Sequence, residues 1–243
     1  MTLSGKTVAV VGGGSGIGKA IAAQAVNAGA EVIVSSRDLA KLEAVVVEFS
    51  AGFALPVDMT DPGSVADWAN ALPEIDHLII SASSAAHGPF VALSEVDLRR
   101  MFDAKFFGPY SIAKAALSKI RTGGSITFFS GVLSRRPGMN CSGLGAVNGA
   151  VEALSRSLAL ELGPDVRVNC LSPGMVRSEA YAGMNPESRN TMYAATGQSL
   201  PVGKVGSVDE AADAALFLMS NTYTTGVVLD VDGGHMIRQY AHR

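Results

Sequence analysis

The sequence predicts an α/β fold: a single doubly wound domain on a mostly parallel, seven-stranded sheet. Three observations carry this. Short apolar runs alternate with longer helical stretches along the chain. Several of those runs are apolar on both faces, as strands covered by helices on each side require. The first run breaks into a glycine-rich loop and then a helix, the opening of a βα series.

The elements follow in order. Thr7–Val11 is the first strand, and a helix runs from Gly16 to about Ala28. Glu31–Ser35 is the second strand, and Asp38 caps the next helix. Phe53–Val57 is the third, followed by Asp61 and Pro62, an acidic cap with proline in the first turn. His77–Ser81 is the fourth. Ser94 opens a helix, with Asp97 three residues on as a weak capping box. Ser125–Phe129 leads to a long helix over Leu144–Leu162, and Val166–Leu171 follows. The stretch Arg177–Val205, rich in Gly, Asn, Ser and Met, reads as irregular, either a substrate lid or a long surface loop. Ser207, Asp209 and Glu210 start the last helix, and Val227–Val231 is the final strand. No linker or repeat divides residues 1–243, so one domain is expected.

Composition narrows the function. Hydrophobic residues make up 48% of the 243 and charged residues 17%, a globular balance. A net charge of −3 gives no basic face for nucleic acid. No apolar run approaches the ~20 residues of a membrane helix. The first residues enter a strand without the pattern of a signal peptide. Cys141 and Cys170 form neither a disulfide framework nor a metal-ligand pattern, so no metal is expected. A cytoplasmic location fits these features.

The loop Gly12–Gly18 carries the first chemistry. Glycines permit a tight turn and close approach to a pyrophosphate, whose charge a helix N-terminus favours. Here the spacing is Gly12-x-x-x-Gly16-x-Gly18, between the first strand and first helix, which points to a Rossmann-type dinucleotide site. Gly12, Gly14, Ser15, Gly16, Ile17 and Gly18 are the candidate contacts. The tip of the second strand holds Ser36 and Arg37 where an acid would bind the 2′-hydroxyl of NAD(H). A guanidinium suits a 2′-phosphate, so NADP(H) is favoured over NAD(H).

With these residues in place the chain resembles the short-chain dehydrogenase/reductase family over nearly its whole length. Val11–Gly18 is similar to the family's Thr-Gly-x-x-x-Gly-Ile-Gly loop. Pro56–Asp61 is similar to its adenine-contacting segment, which implies contacts at Asp58 and Met59. Ile80–Ser83 stands where the family has Asn-Asn-Ala-Gly, which implies contacts at Ser81 and Ala82. Arg167–Val176 resembles its Pro-Gly turn, which implies that Pro173, Gly174 and Val176 meet the nicotinamide. Thr225–Gly234 resembles its closing strand. The resemblance also implies a homo-oligomer, a tetramer or dimer, and a small carbonyl or alcohol substrate.

The catalytic motif departs from the family. Its tyrosine general acid and its lysine, four residues apart, fall on Leu144 and Asn148; its serine falls on Gly131, beside Ser130; its asparagine falls on Lys105. Asn and Lys are thereby exchanged. In one reading Lys105 supplies the positive charge beside the nicotinamide ribose and Asn148 bonds a ribose hydroxyl. In the other the site has drifted and Lys105 reaches solvent. Lys105, Ser130 and Asn148 are the catalytic candidates. Other possible proton donors are Ser134, Cys141, Ser142, Ser81, Ser83, Ser84, His87 and tyrosines 110, 181 and 193. The pair Arg135 and Arg136 is either an acid-binding patch or a charged turn. Phe90, Tyr181, Met184, Met192 and Tyr193 are expected to line an apolar pocket if the 177–205 stretch closes over it. Three functions stand open: an NADP(H)-dependent oxidoreductase with an altered proton relay, a silent NADP(H)-binding sensor or partner subunit, and a scaffold without cofactor.

Overall fold

The computed structural model describes residues 2–81 and 88–238. Chain order is β1 (Thr7–Val11), α1 (Gly16–Asn27), β2 (Glu31–Ser35), α2 (Leu39–Phe49), β3 (Phe53–Ala54), α3 (Pro62–Ala71) and β4 (Ile75–Ile80). Then come α4 (Glu95–Phe102), a π-helical turn (Asp103–Phe107), α5 (Gly108–Ala116), β5 (Ile120–Phe129), α6 (Ser142–Glu161) and β6 (Val166–Pro173). The chain ends with β7 (Val176–Arg177), α7 (Pro186–Ser199), β8 (Gly206–Ser207), α8 (Val208–Ser220) and β9 (Val228–Val231).

The main sheet is seven-stranded, ordered β3-β2-β1-β4-β5-β6-β9, and every neighbouring pair is parallel. The order reverses between β1 and β4. That switch point opens a crevice at the carboxyl ends of the strands, where ligands of doubly wound sheets bind. Strand alternation divides the core into two layers. Val8, Val10, Val32 and Val34 face α1 and α8, while Ala9, Val11, Ile33, Leu78 and Phe128 face α3, α5 and α6. The double-sided apolar pattern of β1 and β4 follows from this sandwich.

Caps set most helix starts. Asp38 accepts from the Lys41 N–H, Asp61 from that of Gly63, and Ser94 from that of Asp97. Ser207 and Glu210 form a complete capping box on α8.

Two expectations are corrected. The Arg177–Val205 stretch is not irregular, because it contains the 14-residue helix α7. That helix buries only Tyr193 and Gly197, so it lacks the apolar period that marks a helix; Asn185 and Pro186, a cap with proline in the first turn, were the legible signal. The third strand is two residues, not five. Beyond it Leu55 and Val57 still donate to the Val34 and Ser36 carbonyls, so the chain tracks β2 without completing a ladder.

Arg167, buried on β6, donates to the carbonyls of Leu218 (2.8 Å), Met219 (2.8 Å) and Thr224 (3.0 Å). It thereby satisfies carbonyl groups that the end of α8 leaves without helical partners. Arg167→Met should cost roughly 2–4 kcal/mol, since those oxygens lose charged donors in a dry setting. Urea unfolding of both proteins measures this; a loss below about 0.5 kcal/mol contradicts the assignment.

Candidate functional site

The nucleotide loop is held against two strand tips. Gly12 and Gly13 N–H groups donate to the Ser35 carbonyl at 2.7 and 3.2 Å, and the Ser81 N–H donates to the Val11 carbonyl at 2.9 Å. Gly12 and Gly16 have φ of 92° and 54°, which glycine adopts without strain. A Cβ on Gly18 would overlap the Gly12 carbonyl and the Ser81 hydroxyl. A Cβ on Gly14 would stand 3.3 Å from Ser36 Oγ, so loop and β2 tip are in close contact. Helix α1 starts here with no acidic residue in its first turn and no side-chain bond from its cap, Ser15. Its N-terminal N–H groups, of which that of Gly16 bonds the Glu179 carboxylate, and its positive dipole end suit an anionic diphosphate.

The adenosine side is also assembled. Asp58 Oδ1 accepts from the Thr60 hydroxyl (2.7 Å) and N–H (3.0 Å), and these bonds, helped by the Arg37 charge, hold its carboxyl below the usual range. Met59 packs toward Gly108 at the start of α5. Arg37 is exposed, beside half-buried Ser36. On the nicotinamide side, the Gly174 N–H donates to the Val231 carbonyl at 3.0 Å, and a Cβ there would stand 2.8 Å from Asp232 Cα. Pro173 ends β6, and buried Val176 pairs with Gly206. Ala82, Ser83, Ser84 and His87 lie outside the described residues.

Lys105 and Asn148 converge on one short segment, the end of β5. Lys105 is 6% exposed, which removes the solvent-directed reading. Its Nζ donates to the carbonyls of Phe129 (3.4 Å) and Ser130 (3.3 Å). Burial lowers its pKa to about 8. It lies in the π-helical turn between α4 and α5, a distortion that favours functional positions. Asn148 is 2% exposed, and its Nδ2 donates to the Gly131 carbonyl at 3.3 Å. A Cβ on Gly131 would stand 3.1 Å from that nitrogen, so glycine at 131 leaves room for the amide. Asn148 Oδ1 has no hydrogen-bond partner among the described residues. An acceptor buried without a donor is costly, and a ribose hydroxyl is a group that would satisfy it.

Sequence reasoning missed Glu152, one helical turn after Asn148. Its carboxylate, 3% exposed as a residue, accepts from Ser130 Oγ (3.0 Å) and Ser134 Oγ (2.5 Å), with Arg135 Nε at 3.4 Å. The Ser130 hydroxyl is thus committed to Glu152, although its carbonyl serves Lys105. Of the two readings of Arg135 and Arg136, an acid-binding patch or a charged turn, their contacts within the chain fit the second. Arg135 pairs with Asp230 and reaches Ser172 Oγ at 3.2 Å; Arg136 donates to the Arg238 carbonyl at 2.9 Å. A carboxylate across the sheet signals nothing in sequence, so this pairing was not legible. Of the residues expected to line an apolar pocket, Phe90 borders a cleft of about 710 Å³ with Leu133, Met139 and Cys141, and Tyr181, which meets Tyr193 edge-on at 5.8 Å, has its pKa raised by burial and by nearby Tyr193 and Cys141. Burial pushes the thiols up, Cys170 to about 11, which leaves both weakly reactive. No group of metal-ligating residues occurs among the described residues.

A family described as Enoyl-(Acyl carrier protein) reductase matches residues 11–236. Carbonyl reductase family member 4 of Xenopus laevis is 31% identical, covering 94% of this chain and 97% of its own. Short-chain dehydrogenase/reductase ATR9 of Stachybotrys chlorohalonatus is 31% identical, covering 98% and 99%. The chain belongs to the short-chain dehydrogenase/reductase family. A small-chain dehydrogenase solved in complex with NADPH superposes with a TM-score of 0.85 at 39% identity, covering 96% of this chain and 99% of its own. Within this oxidoreductase family, a parallel sheet with its switch point at the glycine loop is the shared frame.

Burial of the Lys105 ammonium has a measurable consequence. Its pKa is about 8 folded against 10.5 for the free side chain, so the folded state binds fewer protons between those values. Stability should therefore rise with pH across that window. The unfolding free energy of wild type minus that of Lys105→Met, followed by urea unfolding, should increase from pH 8 to pH 10.5. A difference independent of pH would mean that the ammonium remains hydrated.

Proposed function

We propose that this protein is an NADP(H)-dependent oxidoreductase of a small carbonyl or alcohol in which Lys105 and Asn148 take over the roles of the exchanged family residues. One observation carries the reading: a buried ammonium and a buried amide, whose Oδ1 has no donor among the described residues, bond successive carbonyls at the end of β5. The nucleotide would be held by Gly12, Gly14, Ser15, Gly16, Ile17 and Gly18, with Arg37 and Ser36 toward a 2′-phosphate. Asp58, Met59 and Ser81 would flank the adenosine, with Pro173, Gly174 and Val176 toward the nicotinamide.

Bound NADPH supplies a hydride to a carbonyl carbon, and the chain must orient the reactants and handle one proton. Asn148 Oδ1 would accept from a ribose hydroxyl of the bound cofactor. Lys105 would supply a positive charge to that side of the site, and with its pKa near 8 its Nζ can release a proton close to neutrality. Ser130, fixed by Glu152, positions the carbonyl that Lys105 uses. A homo-oligomer is supported by apolar side chains exposed on α4, on the π-helical turn and on α6, namely Val96, Phe107 and Leu160. A second reading, an NADP(H)-binding sensor or partner subunit, is favoured by Leu144, which has no proton to give.

Fluorescence titration with NADPH and NADH, followed by absorbance assays over a panel of ketones and alcohols, separates these readings. Arg37→Ala should weaken NADPH about tenfold more than NADH; equal losses contradict the NADP(H) preference. Turnover should fall about 10²–10⁴-fold in Lys105→Met. Tight NADPH binding without turnover on the whole panel would instead favour the sensor.

A further inference from the structure

The first helical N–H of α1, that of Gly16, is already taken. Glu179 Oε2 accepts from it at 2.9 Å, across 163 residues of sequence. The same carboxylate oxygen lies 3.5 Å from where a Gly16 Cβ would be, with Ser178 Cβ at 3.7 Å. So the segment after β7 is folded onto the mouth of the glycine loop. It meets the N–H groups that the reading above gives to a diphosphate. A carboxylate on a helix N-terminus is the internal counterpart of a phosphate there.

Glu179 is not a stray surface charge. Ser178 caps the 3₁₀ turn Glu179–Tyr181 by accepting from the Ala180 N–H. Tyr181 then stacks edge-on against buried Tyr193 of α7, and Arg177 lies over the Tyr193 ring at 4.6 Å. Arg189 donates to the Tyr181 carbonyl at 3.4 Å. These contacts tie residue 179 to the base of the α7 excursion, so the carboxylate arrives at Gly16 as part of a packed unit. Its removal from Gly16 requires either a side-chain rotation or a shift of that unit.

We propose that Glu179 is an autoinhibitory latch: its carboxylate occupies the diphosphate seat on Gly16 in the cofactor-free protein and must leave when the dinucleotide binds. The inference rests on the dinucleotide reading of the loop. The bond to Gly16 and the repulsion between a carboxylate and a diphosphate both oppose binding, so cofactor affinity is held below what the loop alone would give. Cofactor entry also frees the base of α7, coupling occupation of the loop to the position of that excursion.

The test is the dissociation constant of NADPH for wild type, Glu179→Gln and Glu179→Ala in the full chain, with 2′-AMP as a ligand that lacks the diphosphate. The latch predicts NADPH binding tighter by about 2- to 10-fold in both variants, with 2′-AMP unchanged. NADPH affinity equal to or weaker than wild type in both variants overturns the latch while leaving the loop as the cofactor site. An equal gain for 2′-AMP overturns it too, because the effect would then be a general change in charge. Failure of NADPH to bind all three proteins overturns the dinucleotide reading itself, and the latch with it.

Discussion

A buried ammonium with no carboxylate bonded to it among the described residues has to find oxygen in the backbone, and Lys105 finds it at Phe129 and Ser130, where β5 ends. The carbonyls of Phe129 and Ser130 face Nζ at 3.4 and 3.3 Å. The ladder to β4 ends at Phe128, while β6 still pairs through Phe129, and the chain turns at Gly131. That turn also lets Asn148 reach the next carbonyl along. One short segment of backbone therefore receives both side chains, from the π-helical turn and from α6. The cost of leaving Nζ in a dry setting appears as its lowered pKa. Burying such a group without a full ion pair is unfavourable for stability.

The rest of the site is arranged around that segment by the sheet. Parallel strands end on the same side, so the tips of β1, β2, β4, β5 and β6 present the glycine loop, Ser36, Ser81, Lys105's carbonyls and Pro173 along one edge. Close contacts fix their spacing. Gly18 lies against Gly12 and Ser81, and Gly174 lies against Asp232. Beneath, Glu152 gathers Ser130, Ser134 and Arg135, and Arg135 passes the tie on to Asp230 of β9. A carboxylate in this position stiffens the floor of the site by linking β5, α6 and β9, and it keeps Arg135 from acting as an open anion receptor.

Much of this was legible in sequence because it is local. The bounds of β1 and β2, the caps at Asp38, Asp61 and Ser207, and the glycine loop depend on neighbours within a few residues. Lys105 and Asn148 stood out in sequence as site candidates, although not the carbonyls that hold them. Helix α7 was hidden because it packs through Tyr193 and Gly197 instead of through an apolar stripe. Glu152, Asp230 and Glu179 were hidden for another reason. Their partners lie 17 to 163 residues away, and a lone carboxylate in sequence looks the same whether it meets water, an arginine or a helix N-terminus.

The central claim is that Lys105 and Asn148 act as one exchanged pair. A double-mutant cycle tests it: Lys105→Asn, Asn148→Lys and the double variant, each measured for NADPH affinity and urea unfolding. Lys105→Asn leaves the pair without an ammonium, and Asn148→Lys gives it two. The double variant restores one of each, so both quantities should return toward wild type, with a coupling of about 1–3 kcal/mol. Losses in the double variant equal to the sum of the single losses would contradict the claim, because the two side chains would then act independently.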